Sequence, residues 1–364
     1  MGLDKSVWDK EIETPASVVA YVDLAVRALL PDGSEVLGIS PTGASYWARL
    51  GRIDTIKANG EEESFFVKVH QGDLGKRIVS GEYLGISALR EVIPEMVAEP
   101  IGWGTYQEIP DTHFLLSRFV EMTEDIPDVS DFPALVAELH KRGVSPDGKF
   151  GFPHLLHGGM HPLPTPPTDT WEECFTNMIK FNMAKEESVH GPDKELTKLK
   201  TDIIEKVIPR LLRPLKIVPR LVHGDLWDGN ASVDANTGNP MIFDPLCLYA
   251  HNEFELAPWK AARHKMTKAY VDEYTKHFPV SEPAGDFEDR TLLYFLRFDL
   301  LSSSLYPGNL RFRYGSMNTM RYLVTKYSEG YEGYWYATAG DQTETVPRME
   351  SEDLAVAGHQ VLTT

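Results

Sequence analysis

Within "LVHGDLWDGN", Leu221 to Asn230, His223, Asp225, Asp228 and Asn230 follow an apolar run, and "MIFDP" then supplies Asp244. These residue types suit phosphoryl transfer from a nucleoside triphosphate, which asks a protein chiefly for positioning and charge neutralisation. The reaction needs a carboxylate within reach of an attacking hydroxyl, and oxygen ligands for a magnesium ion on the phosphates. Asp225 fits the first role. Asn230 and Asp244 fit the second, because Mg2+ is a hard cation that prefers oxygen donors. The intervening "ASVDANTGNPMIF" reads as a hairpin whose apolar ends, Val233 with Met241 and Phe243, bring Asn230 and Asp244 together. A merely solvated turn would account for a lone HxD. The added Asn and the strand-end Asp argue against it.

The same spacing occurs in the H-R-D-x-x-x-x-N and D-F-G segments of protein kinases, and it directs attention upstream to a strand lysine and a helix glutamate. "SFFVKV" offers Lys68, alternating with Val67 and Val69 and so facing the other side of its strand. Glu82 follows in a stretch of helical periodicity. A Lys–Glu pair of this kind holds the α and β phosphates of ATP. Taken alone, an exposed strand lysine and a solvated helix glutamate would explain them; ahead of HGD they read as a nucleotide site. "SPTGASYW" would be the phosphate-covering turn, with backbone N–H groups of Gly43, Ala44 and Ser45 toward the phosphates. It has one glycine, so as a motif it is weak.

The elements around these residues alternate in texture. Thr14 and Pro15 open an apolar pattern through Val18, Val19, Val22, Val26 and Leu29 that predicts an amphipathic helix over 15–30. Short β-type runs follow from 36 to 70, with "NG" at 59–60 as a hairpin signal. A helix carrying Glu82 comes next, then two strands in "EPIGWGTYQEI" and "HFLLSRFVEM". The remainder is mostly helical, with "GGMHPLPTPPTD" as a Pro- and Gly-rich loop. The expected fold class is α+β and two-lobed. An N-lobe, residues 1–117, has a five-stranded antiparallel sheet and one main helix; a larger helical C-lobe spans 118–337, with a polar tail over 338–364.

The bulk numbers set limits. At 364 residues the chain exceeds a single hydrophobic core. Its net charge of −18 would repel phosphate backbones, so no nucleic-acid partner is expected. Two widely spaced cysteines argue for a reducing compartment. No apolar run is long enough for a membrane span, which points to the cytoplasm and no membrane partner. "MGLDKS" fits only a loose myristoylation pattern with Gly2 and Ser6.

With "LVHGDLWDGN…IFDP…YAHNEFEL", "KFGFPHLLHGG", "TWEECFTNMIKFNM" and "GSMNTMRYLV", the chain resembles the fructosamine-3-kinase (ketosamine-3-kinase) family over about residues 15–330. That family stands in the aminoglycoside-phosphotransferase and choline-kinase branch of the protein-kinase-like fold. The resemblance implies transfer of the γ-phosphate of MgATP to the C3 hydroxyl of a ketosamine, free or on a protein lysine. The labile product would then release the amine, a deglycation repair. It implies catalytic roles for Asp225, Asn230 and Lys68, nucleotide contacts from Lys68 and Glu82, and metal ligation by Asn230 and Asp244. The hinge is expected in Ser117, Arg118, Phe119 and Val120, offering backbone groups to adenine. Trp227 would stack on the sugar or amine. His251, and Trp259 in a segment that departs from the family pattern, would stand on the acceptor side, although His251 and Glu255 equally suit a bracing role. The departures bear on the acceptor sugar, not the reaction class. An aminoglycoside- or choline-type hydroxyl kinase and a nucleotide-binding pseudokinase are the competing readings. Intact Lys68, Asp225, Asn230 and Asp244 speak against the last. The His154, His157 and His161 set is not expected to bind metal, because no further ligand cluster lies nearby.

Overall fold

Strand alternation in "EESFFVKVHQ" puts Phe65, Val67 and Val69 on one face, and that face is where the first core forms. The computed structural model describes residues 14–332 except Ala44; the Gly2 and Ser6 pattern, Ala44 and the tail from 338 lie outside the described residues. Two compact units emerge. The first comprises the chain to Asp128 together with His154–Leu163 and His223–Cys247, and the second comprises the rest. The boundary expected at residue 117 therefore falls later, and the HGD segment groups with the sheet.

In the first unit, β1 (Glu35–Pro41), β2 (Arg49–Ile56), β3 (Glu62–Gln71), β4 (Pro100–Thr105) and β5 (Thr112–Arg118) form an antiparallel sheet in the order β1-β2-β3-β5-β4. The β2–β3 turn closes at Gly60, φ 85°, as the "NG" pair requires. Val18, Val19, Val22, Val26 and Leu30 cover the apolar face with Ile53, Phe114 and Leu116. Lys68 points to the opposite face, toward helix α1 (Gly72–Val92), where it meets Glu82.

The helix expected over 15–30 is not continuous. It is a 3-10 turn, Ala16–Val19, and one α-turn, Leu24–Arg27, separated at Asp23. Asp23 is extended, φ −60° and ψ 151°, and its carboxylate accepts the N–H groups of Ala25, Gln107 and Glu108. Tyr106 donates its hydroxyl to the Val18 carbonyl. Apolar spacing marked Val18, Val19, Val22 and Val26 correctly as buried, but Leu29 is exposed and Leu30 is buried instead, and the break is set by a partner segment more than 80 residues away, outside any local window.

The second unit is built from helices Phe132–Arg142, Trp171–His190, Lys194–Asp202, Lys268–His277, Phe287–Leu305 and Arg311–Lys326. Trp171, Phe175, Phe254 and Tyr294 meet largely edge to face at its centre. Arg220–Val222 pairs with Leu248–Ala250, so the chain leaves for the HGD segment and returns from it at adjacent strands. Part of "GGMHPLPTPPTD", expected as loop, forms the strand His161–Leu163 against Leu156–Gly158 in the first unit. Among the described residues, no helix is long and apolar enough to cross a membrane.

Removing the Asp23 carboxylate strands three backbone donors around a fully buried position. Asp23→Ala is expected to lower the unfolding free energy by about 1–3 kcal/mol, measured by urea denaturation. A loss under about 0.5 kcal/mol would place Asp23 among ordinary surface positions.

Candidate active site

Gly224 takes the left-handed backbone, φ 78°, that turns the chain between His223 and Asp225. His223 is fully buried and locks the turn through both ring nitrogens. Its Nδ1 accepts the Asp225 N–H at 3.3 Å, so Nε2 carries the proton and donates to the Phe243 carbonyl at 2.8 Å. The His223 carbonyl accepts the Leu246 N–H at 2.8 Å. Leu226, fully buried, anchors the loop from beneath.

The hairpin expected after Asn230 is present: Ala231–Val233 pairs with Pro240–Ile242, and the Phe243 N–H donates to the Asn230 carbonyl at 3.1 Å. Asn230 therefore lies across from the residue before Asp244. Its side-chain nitrogen donates to the Asp225 carbonyl at 2.9 Å and to Asp225 Oδ2 at 3.2 Å. The amide oxygen is thereby left over as an acceptor. Asp244 adopts φ 54°, a left-handed conformation that Asp tolerates better than most residues. Its side chain is half exposed.

Lys68 joins these parts. Its Nζ lies 2.7 Å from Glu82 and 2.8 Å from Asp244. Burial works to lower the ammonium's pKa, but the Asp244 and Glu82 carboxylates outweigh it and hold Lys68 above the usual lysine range. Glu82 moves the other way: burial, against the pull of Lys68 and with the push of Asp244, raises its carboxyl to about 7. Burial also opposes ionisation of Asp244, yet Lys68 keeps it below its ordinary value. The Asp244 carboxylate and the Asn230 amide oxygen are hard oxygen donors suited to a divalent cation such as Mg2+.

Other expected site residues fall in different places. The Arg118 N–H donates to the Glu99 carbonyl at 2.8 Å and the Phe119 N–H to the Ser64 carbonyl at 2.9 Å, and Ser117 of β5 pairs with Phe66 of β3. Of the expected hinge, Val120 is left to offer an N–H. The Ser45 hydroxyl accepts from the Trp47 and Ala48 N–H groups and so shapes the turn. Gly43 has the left-handed φ of 63° that such a turn needs. Trp227 is half buried, and its ring lies so close over Gly229 that a β-carbon there would overlap it.

His251 and Trp259 do not serve as acceptor contacts. Trp259 is fully buried among Phe132, Tyr270 and Tyr274 in the second unit. His251, also fully buried, spends both ring nitrogens on Tyr294 Oη, 2.8 Å, and Ser281 Oγ, 2.9 Å. Burial lowers its pKa to about 4, so it packs as a neutral ring. Glu255 likewise braces from within, 3.5 Å from His140 Nε2. A further residue went unread in the sequence. His70 shares the Lys68 face of β3, and burial, then Lys68, drives its pKa down to about 3, keeping a neutral imidazole there. Its two-residue spacing from Lys68 was the available signal.

A family model described as fructosamine kinase matches residues 48–325. The chain is 31% identical over 254 residues to the chloroplastic protein-ribulosamine 3-kinase of Oryza sativa subsp. japonica, covering 69% of this chain and 70% of the relative. It is 29% identical over 322 residues to the ketosamine-3-kinase of Mus musculus, covering 83% and 97%. Among solved structures, it is similar to a Thermobifida fusca protein assigned as a fructosamine-3-kinase, with a TM-score of 0.66 and 21% identity. That likeness covers 86% of this chain and all of the other, and shows the fold alone.

The Glu82 carboxyl stands near 7 in the folded chain against an ordinary 4.5. Between those values the folded state binds more protons than the unfolded one, so this group makes stability fall as pH rises, with no further change above about 7. Glu82→Gln removes that component. Urea denaturation between about pH 5 and pH 8 is expected to show wild type losing stability relative to the variant as pH rises. Parallel curves would contradict the raised value.

Proposed function

The chain belongs to the fructosamine kinase family, and from that premise we propose that it moves the γ-phosphate of ATP to the C3 hydroxyl of a ketosamine. The acceptor on this reading is a ribulosamine or fructosamine on a free amine or a protein lysine. The observation that supports it is the hold of Asn230 on Asp225: the amide nitrogen aims one carboxylate oxygen while the same side chain keeps its own oxygen for a metal.

In this mechanism the Asp225 carboxylate accepts the C3 hydroxyl proton as that oxygen bonds to the γ-phosphorus. The bond from the γ-phosphorus to the bridging oxygen breaks, and its electrons leave with ADP. Lys68, charged at any working pH, engages the α and β phosphates, and Glu82 keeps its ammonium in place. Asn230 and Asp244 would hold Mg2+, which when bound neutralises charge on the phosphates. His223 moves no proton here; it spends both nitrogens holding the turn. Trp227, half buried with its ring over Gly229, would stack on the acceptor.

Incubation with ATP and either ribulosyl-lysine, fructosyl-lysine or an aminoglycoside, read by ADP release, tests the reading. Release is expected with a ketosamine and not with the aminoglycoside; the reverse pattern would sink it. Asp225→Ala is expected to lower kcat by at least about 100-fold while ATP binding, followed by calorimetry, persists. Full turnover in that variant would remove Asp225 from the chemistry.

A further inference from the structure

Gly81 and Gly85 lie in the middle of α1, where each costs about 1 kcal/mol relative to alanine. Both are buried, one turn apart on the same face. Their surroundings differ. A β-carbon at Gly81 would stand 2.9 Å from the Leu155 carbonyl oxygen and 3.2 Å from Leu156 Cδ2. That carbonyl belongs to backbone entering the paired strands Leu156–Gly158 and His161–Leu163, so it cannot swing aside as a side chain would. A β-carbon at Gly85 would meet Pro245 Cγ at 3.4 Å, Cys247 Sγ at 3.6 Å and Leu156 Cδ1 at 3.7 Å, ordinary contact distances. The Gly85 carbonyl also accepts from Cys247 Sγ at 3.4 Å, tying α1 to the segment that follows Asp244.

We propose that Gly81 is a positioning residue: its missing side chain lets α1 rest directly on the Leu155 carbonyl, and this contact sets where Glu82 meets Lys68. Glu82 is the next residue, and its 2.7 Å bond to Lys68 tolerates little displacement. An alanine at 81 pushes the helix away from the hairpin backbone and loosens that bond. An alanine at 85 fits. The kinetic consequence rests on the nucleotide-site reading of Lys68 given above; the geometric one does not.

Gly81→Ala and Gly85→Ala are compared in the full-length chain. Acylation of Lys68 by an amine-reactive ester, followed by mass spectrometry with Lys57 as internal reference, reports the hold on its ammonium. Gly81→Ala is expected to raise Lys68 labelling at least about fivefold and to lower kcat/KM for ATP at least about tenfold. Gly85→Ala should leave both within about twofold and make the protein more stable. In Gly81→Ala with Glu82→Gln, the kinetic loss should match that of Glu82→Gln alone within about twofold, because one residue acts through the other. Labelling unchanged in Gly81→Ala, additive losses in the double variant, or a loss in Gly85→Ala each overturn the proposal. Should Gly81→Ala fail to fold, the same labelling is read with Gly85→Ala added to restore helix propensity. Raised labelling without phosphorylation of any acceptor would keep the positioning role and reject the proposed reaction.

Discussion

One ammonium group, Lys68 Nζ, stands between the carboxylates of Glu82 and Asp244, and the site is arranged around that imbalance. Each charge pays a desolvation penalty here, and at 4 Å an opposite charge returns about 4 kcal/mol at an effective dielectric of about 20. One cation cannot satisfy two acids equally. Asp244, half exposed, stays ionised, while the more enclosed Glu82 keeps a proton up to about pH 7. Once Glu82 also ionises, negative charge exceeds that of Lys68, an environment that favours an added divalent cation beside the half-exposed Asp244 carboxylate. Strand alternation, the seat of α1 and the hairpin before Asp244 all serve to bring these three groups together.

The HGD turn is held by a histidine that does no proton chemistry. His223 reaches forward to Asp225 through its Nδ1 and across to the Phe243 carbonyl through Nε2. One ring thus couples the turn that carries the proposed base to the strand end that carries the proposed metal ligand. Asn230 makes the second tie, from its side chain to Asp225 and from its backbone to Phe243. Moving any one of the three would drag the others. This explains why so short a segment includes a histidine that never needs to touch substrate.

The second unit shows the same residue types in another role. Arg290, fully buried, bonds Glu253 in a fork at 2.8 and 3.1 Å and also donates to the Ser281 and Pro283 carbonyls. His251 closes the set through Ser281 and Tyr294. A buried ion pair is strongly destabilising to break once formed, so such a network specifies one arrangement of the segments it joins. The "YAHNEFEL" element looks chemical by composition and is architectural by position.

The pairing of Lys68 with Glu82 and the approach of Asn230 to the strand end that carries Asp244 were legible because order along the chain and alternation within strands are local properties. The hairpin between Asn230 and Asp244, the β2–β3 turn and the mostly helical remainder were legible for the same reason. The break at Asp23, the commitment of the Arg118 and Phe119 N–H groups, and the burial of His251 and Trp259 were not. Each depends on a partner far away in the chain: Gln107 for Asp23, Glu99 and Ser64 for the hinge, Tyr294 for His251. Sequence by itself determined which groups could carry the chemistry; tertiary structure decided which of them are left free to do so, because burial and hydrogen bonding are settled only when distant segments meet.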